Sequence, residues 1–373
     1  MQPLAGIQVI DFSTLLPGPL ASLFLAEAGA EVIKIERPDI GDEMRTYEPR
    51  LGADSANFAL LNRGKRSVAI DLKASDAVGR LTPLLKRADV LIEQFRPGVM
   101  ERLGLGYDAV RAINDQIIYC SITGFGQCGP RSHGMAGHDL NYLALTGLLS
   151  LAADKDGAPS MPPALIADIA AGSYPAVVNI LLALMRRQTT GQGSRLDISM
   201  TDSLFVLAYW GLANGFAAGQ WPRPGAELVT GGSPRYQIYR TADGGYLSAA
   251  PLEQRFWDVF CRLIGLGERF HDDSRDPAKV IEAVAACILA RPTDHWRRVF
   301  ANEDACCAVV ASLAEAIEDP HFRAHNLFGR QTGAGPMRIP ALPLPLADAF
   351  RDTVLTKLSP TLGADNHLIA TEA

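Results

Sequence analysis

Short apolar runs alternate with amphipathic stretches through the first half of the chain. Apolar runs bounded by turn residues predict five strands, over residues 6–12, 31–36, 66–72, 89–95 and 116–126. Apolar positions recur with helical spacing over 18–30 and 76–88, between consecutive strands. Strands separated by helices of this length form βαβ units, so the pattern predicts an α/β fold with a mostly parallel sheet.

The most apolar segment of the chain is Ile169–Met185. Ser173, Pro175 and Asn179 interrupt it, and it is short for a transmembrane span, so we expect a buried core helix and no membrane partner. A strand over 195–200 and a helix around 202–216 follow this segment.

A Pro- and Gly-rich stretch at 219–234 predicts a linker into a second domain. The sequence after it, 235–251, predicts two strands joined by an Asp-Gly turn, and helical patterns then continue to about Arg323. The Pro-rich stretch 335–352 predicts extended chain that returns to the first domain. The predicted organisation is therefore a large domain over 1–222, a small domain over 223–325 and a returning segment over 326–373.

Composition narrows the possible partners. The 373 residues are 48% apolar, which is enough for two domain cores, and the net charge of −6 argues against a nucleic-acid partner. The six cysteines follow no C-x-x-C spacing and the first residues do not resemble a secretory leader, so we expect a cytoplasmic protein with reduced thiols and no metal. Neither G-x-G-x-x-G nor G-x-x-x-x-G-K-[ST] occurs, which argues against dinucleotide and P-loop binding.

Four acidic or imidazole side chains stand where chemistry could occur. His138 and Asp139 lie where a turn-rich loop gives way to an apolar run, so the pair either caps a helix or carries proton chemistry at its N-terminus. Asp168 has apolar neighbours and also fits a helix cap. Glu253 lies between a strand and an aromatic-bearing helix, which is typical of a first-turn carboxylate.

Several stretches together resemble one family. The stretches MAGHDLNYLALTG, ALIADIAAGS, APLEQRFW, IKIERP, IDLK, FRPGVMERLG and TGFGQCGPR are similar to the family III CoA-transferase superfamily (CaiB/BaiF type), and most to its alpha-methylacyl-CoA racemase branch. The matches run from near residue 10 to past residue 300. The resemblance implies a large Rossmann-like domain and a smaller α+β domain, in a homodimer whose chains interlock.

The resemblance also implies roles for individual residues. His138 and Asp168 become the two catalytic bases, Glu253 the partner that orients His138, and the backbone N–H of Asp139 a donor to an enolate oxygen. Coenzyme A enters as part of an acyl-CoA substrate and not as a prosthetic group. The residues implied to bind it are Arg37, Leu72, Lys73, Arg96, Arg102 and Tyr142.

Two activities of this superfamily remain open at this point, together with a binding protein that has no turnover. An alpha-methylacyl-CoA racemase inverts C2 of a 2-methylacyl-CoA by two-base 1,1-proton transfer, whereas a CoA-transferase forms an aspartyl-CoA intermediate at the residue matching Asp168. His138 with Glu253 favours the racemase. Ala164 stands where such racemases often carry Asn. We expect the acyl pocket near Leu15, Leu16, Tyr142 and the glycine-rich stretch TGGSPRY at 230–236, which either forms a mobile loop near the site or is a linker turn.

Overall fold

The computed structural model describes residues 2–152 and 157–369. These residues form two compact units. The first contains the chain up to residue 146, residues 162–206 and the chain from residue 323 onward; the second contains 147–161, apart from the undescribed positions, and 207–322. The boundary predicted after residue 222 therefore falls inside the second unit, and segment 147–161, predicted for the large domain, also belongs to the second unit.

Hydrogen bonds explain why the Pro- and Gly-rich stretch 219–234 is not a linker between the units. The Asn214 side chain donates to Glu227 Oε2 over 3.0 Å, and Gly225 N–H donates to the Leu151 carbonyl over 3.4 Å. The stretch thus folds back within the second unit.

A parallel sheet of six strands forms the centre of the first unit, as the alternating pattern predicted. The strands of this unit before residue 200 are β1 (Gln8–Asp11), β2 (Glu31–Glu36), β3 (Arg50–Leu51), β4 (Asp54–Ser55), β5 (Arg66–Ala69), β6 (Val90–Glu93), β7 (Ile118–Thr123) and β8 (Ser194–Ser199). The sheet order is β5-β2-β1-β6-β7-β8, with every pair parallel, and β3 and β4 form a separate antiparallel pair.

Helices connect these strands and build most of the second unit. They are α1 (Pro17–Glu27), α2 (Ala56–Asn62), α3 (Ala77–Arg87), α4 (Val99–Arg102), α5 (Tyr107–Ile113), α6 (Asp139–Leu145), α7 (Leu148–Leu151), α8 (Tyr174–Thr190), α9 (Met200–Leu204), α10 (Tyr209–Ala218), α11 (Gln254–Ile264), α12 (Pro277–Leu289), α13 (Thr293–Phe300), α14 (Leu313–Glu318) and α15 (Pro320–Ala324). A π-helix over Ala167–Ser173 leads into α8. Short 3₁₀ helices lie at Glu43–Thr46, Phe205–Ala208, Glu268–Phe270, Asp348–Phe350 and Asn366–Ile369. The single helix predicted around 202–216 is thus divided into α9, a 3₁₀ turn and α10.

The central sheet is buried by helices. In α3, Leu81, Leu84 and Leu85 are fully buried and pack in one cluster with Ile10 and Leu91 of the sheet. All residues of α1 are buried as well. Helices that cover a parallel sheet remove its strands from water, which is why these strands are continuous apolar runs in the sequence.

The prediction that the most apolar segment is a buried core helix is wrong for one face of α8. Ala176, Ile180, Ala183 and Leu184 are buried, whereas Val178, Leu182 and Met185 are 54%, 58% and 65% exposed. By length and composition alone, the helical segment Ala167–Thr190 would also suit a membrane span, and a single segment of this kind is weak evidence for one. The segment is apolar on two faces while the first unit covers only one of them.

The second unit contains a three-stranded antiparallel sheet covered by helices. Its strands are β9 (Gln237–Arg240), β10 (Tyr246–Ala249) and β11 (Cys307–Val309), in the order β11-β10-β9. The predicted hairpin with its Asp243-Gly244 turn is confirmed, since Gly244 adopts a φ of 86°. The prediction of continuous helix to about Arg323 is wrong at β11, because these residues pair with β10. Trp257, Phe260 and Trp296 form the core of this unit.

The C-terminal segment contains a hairpin of β12 (Gln331–Ala334) and β13 (Met337–Pro340). The Pro-rich stretch predicted as extended therefore begins with one strand of this hairpin. Thr332 Oγ1 donates to the Ala59 carbonyl over 3.0 Å, and Asp365 N–H donates to the Ser67 carbonyl over 2.9 Å. These bonds join the segment to α2 and to the edge strand β5.

Candidate functional site

The loops that follow β1, β6 and β7 surround a cavity of about 270 Å³ in the first unit. Because the strands are parallel, the loops after their carboxyl ends meet at one edge of the sheet, where α/β proteins bind ligands. The cavity is lined by Leu15, Pro17, Gln94, Phe95, Arg96, Pro97, Ile122, Thr123, Gly124, Phe125, Gly126, Ser132, Met135, Ala136, Gly137, His138, Tyr142, Asp168 and Met200.

His138 immediately precedes α6 and lines this cavity. Its backbone is extended, and its N–H donates to Asn141 Oδ1 over 3.0 Å. The side chain of Asn141 therefore helps to cap the N-terminus of α6. The side chain of His138 is exposed at the cavity, where it can reach a ligand. The sequence thus places a titratable ring at the first turn of a helix.

Asp168 reaches the same cavity from a π-helix. Its backbone N–H donates to Oδ1 of the buried Asp139 over 2.9 Å, which ties the π-helix to the start of α6. Ser173 Oγ lies 2.8 Å from the Pro17 carbonyl and 3.1 Å from the Asp168 carbonyl, and so links the π-helix to the first residue of α1. π-helical turns widen the backbone locally and occur frequently at functional sites.

The surroundings of Asp168 favour its neutral form. Burial, and next the nearby charge of Asp139, raise the pKa of Asp168 to about 6, while His138 acts in the opposite direction. A carboxyl group with this pKa is mostly ionised at pH 7 and gains a proton far more readily than an ordinary aspartate. It can therefore take up and release protons near neutral pH.

Tyr142 forms a buried wall of the cavity. Its hydroxyl donates to the Gly137 carbonyl over 2.5 Å, and its ring contacts Phe125 edge to face. Burial, followed by the charges of Asp168 and Asp139, raises the pKa of Tyr142 to about 12, so the hydroxyl stays protonated. A Cβ atom at Gly124 or Gly137 would lie 2.6 or 2.7 Å from this ring, so both positions need glycine.

The six residues implied to bind CoA lie at or near the same edge of the sheet. Arg96, in the loop after β6, lines the cavity together with Tyr142. Arg37 follows β2, is 55% exposed and lies 3.6 Å from Glu43. Lys73 follows β5 and is exposed, whereas Leu72 packs against the core cluster. Arg102 is exposed in α4.

Glu253 lies in the second unit, at the N-cap of α11, and its side chain is exposed. This is the helix-terminal position that its sequence context indicates. Its implied partnership with His138 stays a prediction.

Several lining residues were not predicted from the sequence. Gln94 accepts a hydrogen bond of 3.0 Å from Gly18 N–H through Oε1, and thereby joins the loop after β6 to α1. Phe125 follows β7 in the stretch TGFG, where two glycines after a strand were the available signal. Leu15 lines the cavity as expected, whereas Leu16 packs beside Leu20 and Phe24.

Among residues 2–152 and 157–369, no group of three His, Cys, Asp or Glu side chains is placed to hold a metal ion.

Comparisons with known proteins agree on one family. A sequence model described as CoA-transferase family III matches residues 4–366. The chain is 35% identical to alpha-methylacyl-CoA racemase of Mus musculus over 329 residues, which cover 87% of this chain and 82% of the racemase. It is 36% identical to succinyl-CoA:glutarate CoA-transferase of Mus musculus over 335 residues, which cover 87% of this chain and 76% of the transferase.

A solved structure supports the same fold. The crystal structure of a CaiB/BaiF family protein from Brucella suis superposes with a TM-score of 0.83 at 30% identity, covering 99% of this chain and 98% of that protein. The identities to a racemase and to a transferase, 35% and 36%, are similar, so identity alone does not separate the two activities.

Proposed function

The chain belongs to the family III CoA-transferases, enzymes that act on CoA thioesters, and on this premise we propose that it is an alpha-methylacyl-CoA racemase. It inverts C2 of a 2-methylacyl-CoA by two-base 1,1-proton transfer. The observation that carries the proposal is that His138 and Asp168 line one cavity while the pKa of Asp168 is raised to about 6. An imidazole beside a carboxyl group with this raised pKa meets the need of a reaction that removes one proton and returns another.

The proposed reaction proceeds through an enolate. One base removes the C2 proton, so the C–H bond breaks and its electron pair moves onto the thioester oxygen. The other base, which carries a proton, then delivers it to C2 from the opposite face. Ionised Asp168 with protonated His138 converts one epimer, and neutral His138 with protonated Asp168 converts the other.

The backbone N–H of Asp139 is the proposed donor to the enolate oxygen. Asp139 is the first residue of α6, and N–H groups in the first turn of a helix have no intrahelical acceptor. Its buried carboxylate fixes the Asp168 backbone through the 2.9 Å hydrogen bond. One residue thus stabilises negative charge on the substrate and positions one of the bases.

The order of strands supports a path for CoA across the carboxyl ends of the strands. Starting at the outermost strand, the order β5-β2-β1-β6 places Lys73 first, then Arg37, then the loop with Leu15, and then Arg96. Neighbouring strands lie about 4.8 Å apart, so this row spans roughly 14 Å, a length suited to an extended cofactor. Lys73 and Arg37 would bind phosphates, with Leu72 and Arg102 nearby, while the thioester lies between Arg96 and Tyr142.

We further propose a cytoplasmic homodimer with interlocked chains, in which Glu253 of one of the two chains orients His138. The exposed apolar face of α8, with Val178, Leu182 and Met185, supports burial against a second copy. All six cysteines are free, as in reduced compartments. Sedimentation velocity of the full chain tests the dimer.

The second candidate is a CoA-transferase, which the 36% identity to a transferase favours. Asp168 would then attack the thioester carbon of the acyl-CoA, forming an anhydride and releasing CoA thiolate. The thiolate attacks the aspartyl carbonyl, the anhydride C–O bond breaks, and the free carboxylate of the donor acid leaves behind an aspartyl-CoA thioester. Hydroxylamine added together with acyl-CoA would convert such an intermediate into a hydroxamate at Asp168, and mass spectrometry detects it.

A single epimer of a 2-methylacyl-CoA tests the racemase directly. The enzyme should convert either pure epimer into the same mixture of both, as measured by chiral chromatography of the released acids. Retention of the starting epimer together with hydroxamate formation at Asp168 would overturn the racemase in favour of the transferase.

A further inference from the structure

Leu15 has an unusual backbone conformation. Its φ is +63°, in the left-handed region that non-glycine residues rarely adopt, and a leucine side chain offers no hydrogen bond to compensate. Residues held in such conformations cluster at functional sites when their surroundings fix them firmly. Leu15 lines the cavity that contains His138 and Asp168.

A fully buried ion pair holds this conformation. Lys34 Nζ lies 2.9 Å from Asp42 Oδ2, and both side chains have no exposed surface. Asp42 Oδ1 accepts the backbone N–H of Leu15 over 3.1 Å, while Lys34 Nζ donates to the Ser13 carbonyl over 2.6 Å. The Lys34–Asp42 ion pair therefore binds the backbone on both sides of residue 14, at the Ser13 carbonyl and at the Leu15 N–H.

Neighbouring contacts prevent the chain from relaxing on either side of Leu15. Gly18 N–H donates to Gln94 Oε1, and a Cβ atom at Gly18 would lie only 2.1 Å from Ser13 Cβ. The Pro17 carbonyl lies 2.8 Å from Ser173 Oγ, and the same hydroxyl lies 3.1 Å from the Asp168 carbonyl. Leu15 is thus fixed in the wall of the cavity, and Pro17, two residues further on, is linked through Ser173 to the π-helix that carries Asp168.

We propose that Leu15 determines which acyl groups the enzyme accepts, and that the Lys34–Asp42 pair is the positioning device that holds it. The proposal rests on the proposed racemase function, since that function places the acyl C2 atom beside Asp168. Substituents on C2 then meet the apolar side chains that line the same cavity, and Leu15 is one whose backbone is held in place. A buried ion pair that fixes backbone geometry provides specificity rather than net stability.

Binding of unreactive ligands tests the proposal without turnover. We would measure, by calorimetry, the Kd of two CoA thioethers, one with a 2-methylbutyl group and one with a bulky 2-arylpropyl group. Leu15→Gly removes the side chain and suits the left-handed backbone, so the affinity ratio of bulky to small ligand should rise about tenfold. Leu15→Phe should lower the same ratio.

Leu16→Ala is the matched control, because Leu16 has a φ of −118° and packs against the core. The affinity ratio of bulky to small ligand in Leu16→Ala should equal that of wild type.

Asp42→Asn tests the positioning role. It keeps an oxygen acceptor for Leu15 N–H and removes the charge that pairs with Lys34, so the affinity ratio should move in the direction of Leu15→Gly. In the Leu15→Gly background, Asp42→Asn should leave the affinity ratio unaltered, because glycine adopts the left-handed conformation without help from the ion pair. An equal effect in both backgrounds would overturn the positioning role.

Two failures are distinguishable. If wild type binds both thioethers and neither Leu15→Gly nor Leu15→Phe alters the ratio, the specificity role of Leu15 is wrong while the proposed function stands. If wild type binds neither thioether and epimerises no 2-methylacyl-CoA, the proposed function itself fails and the inference with it.

Discussion

The carboxylate of Asp139 accepts a 2.9 Å hydrogen bond from the backbone N–H of Asp168. This bond ties the first residue of α6 to the π-helix that carries Asp168, and His138 stands next to Asp139 in the chain. One hydrogen bond therefore links the two backbone segments that carry the proposed bases. The same contact brings two carboxyl groups close together, which contributes to the raised pKa of Asp168.

Asp139→Asn should shift the pH dependence of the reaction. Asn keeps the oxygen acceptor but removes the charge, so the pKa of Asp168 should fall below its value of about 6. Below that pKa, Asp168 is protonated and cannot remove a proton, so the acidic limb of kcat/KM should lie near pH 6 in wild type and at lower pH in the variant. This applies to the epimer for which Asp168 is the proton acceptor. An acidic limb that stays in place, or moves upward, would contradict the electrostatic coupling.

His138→Ala should abolish proton transfer at one face of C2. We expect kcat to fall by about 10²–10⁴, the usual contribution of a general base, while affinity for free CoA is retained. His133→Ala is the matched control, because His133 is an exposed imidazole in the preceding loop that does not line the cavity. Proton exchange for each epimer, measured in deuterated water, decides the outcome, and full activity in His138→Ala would rule out its role as a base.

Removing a cation from the proposed CoA path should raise KM for acyl-CoA more than it lowers kcat. Arg37→Ala and Lys73→Ala should each raise KM for acyl-CoA by up to about tenfold with kcat little changed, and the effect should shrink as salt is added. Lys86→Ala removes the same charge from the last turn of α3, at the opposite edge of the sheet, and should leave KM unaltered. Steady-state kinetics at two ionic strengths makes the comparison, and equal effects of all three substitutions would refute a local CoA site.

Lys65→Met should destabilise the fold far more than loss of its neighbour Arg66. Lys65 is fully buried, 3.3 Å from Asp11, so its removal takes the ion-pair partner from a buried carboxylate. Asp11 keeps hydrogen bonds from Ser13 and Ser22 and the nearby charge of Lys34, so the loss should cost about 3 kcal/mol. Arg66 pairs with Glu31 at a site where both side chains are about two-fifths exposed, and it also lies 3.2 Å from Asp365. Because Arg66 itself is well exposed, Arg66→Met should cost about 1 kcal/mol or less. Urea unfolding of both variants provides the measurement. Similar midpoints would show that the buried pair contributes no more than the surface pair.

The sequence predicted the central sheet well because its strands are buried on both faces, which leaves an unambiguous apolar pattern in β1, β2, β5, β6 and β7. It did not predict the short pair β3 and β4. It did not predict β11 or the exposed face of α8, since pairing partners and uncovered apolar faces depend on tertiary contacts. His138 and Asp168 were found through motifs. Their meeting in one cavity and the left-handed Leu15 arise from Asp139, Asp42 and Lys34, polar residues whose partners lie far away in the chain.

Proton NMR of a 2-methylacyl-CoA in deuterated water, without an acceptor acid, tests the central claim most directly. Wild-type enzyme should remove the C2 proton signal and produce both epimers. Asp168→Asn should slow exchange by at least about a hundredfold for the epimer whose C2 proton Asp168 accepts. A C2 proton signal that persists, together with CoA exchange once a second carboxylic acid is added, would contradict the account and make Asp168 a nucleophile.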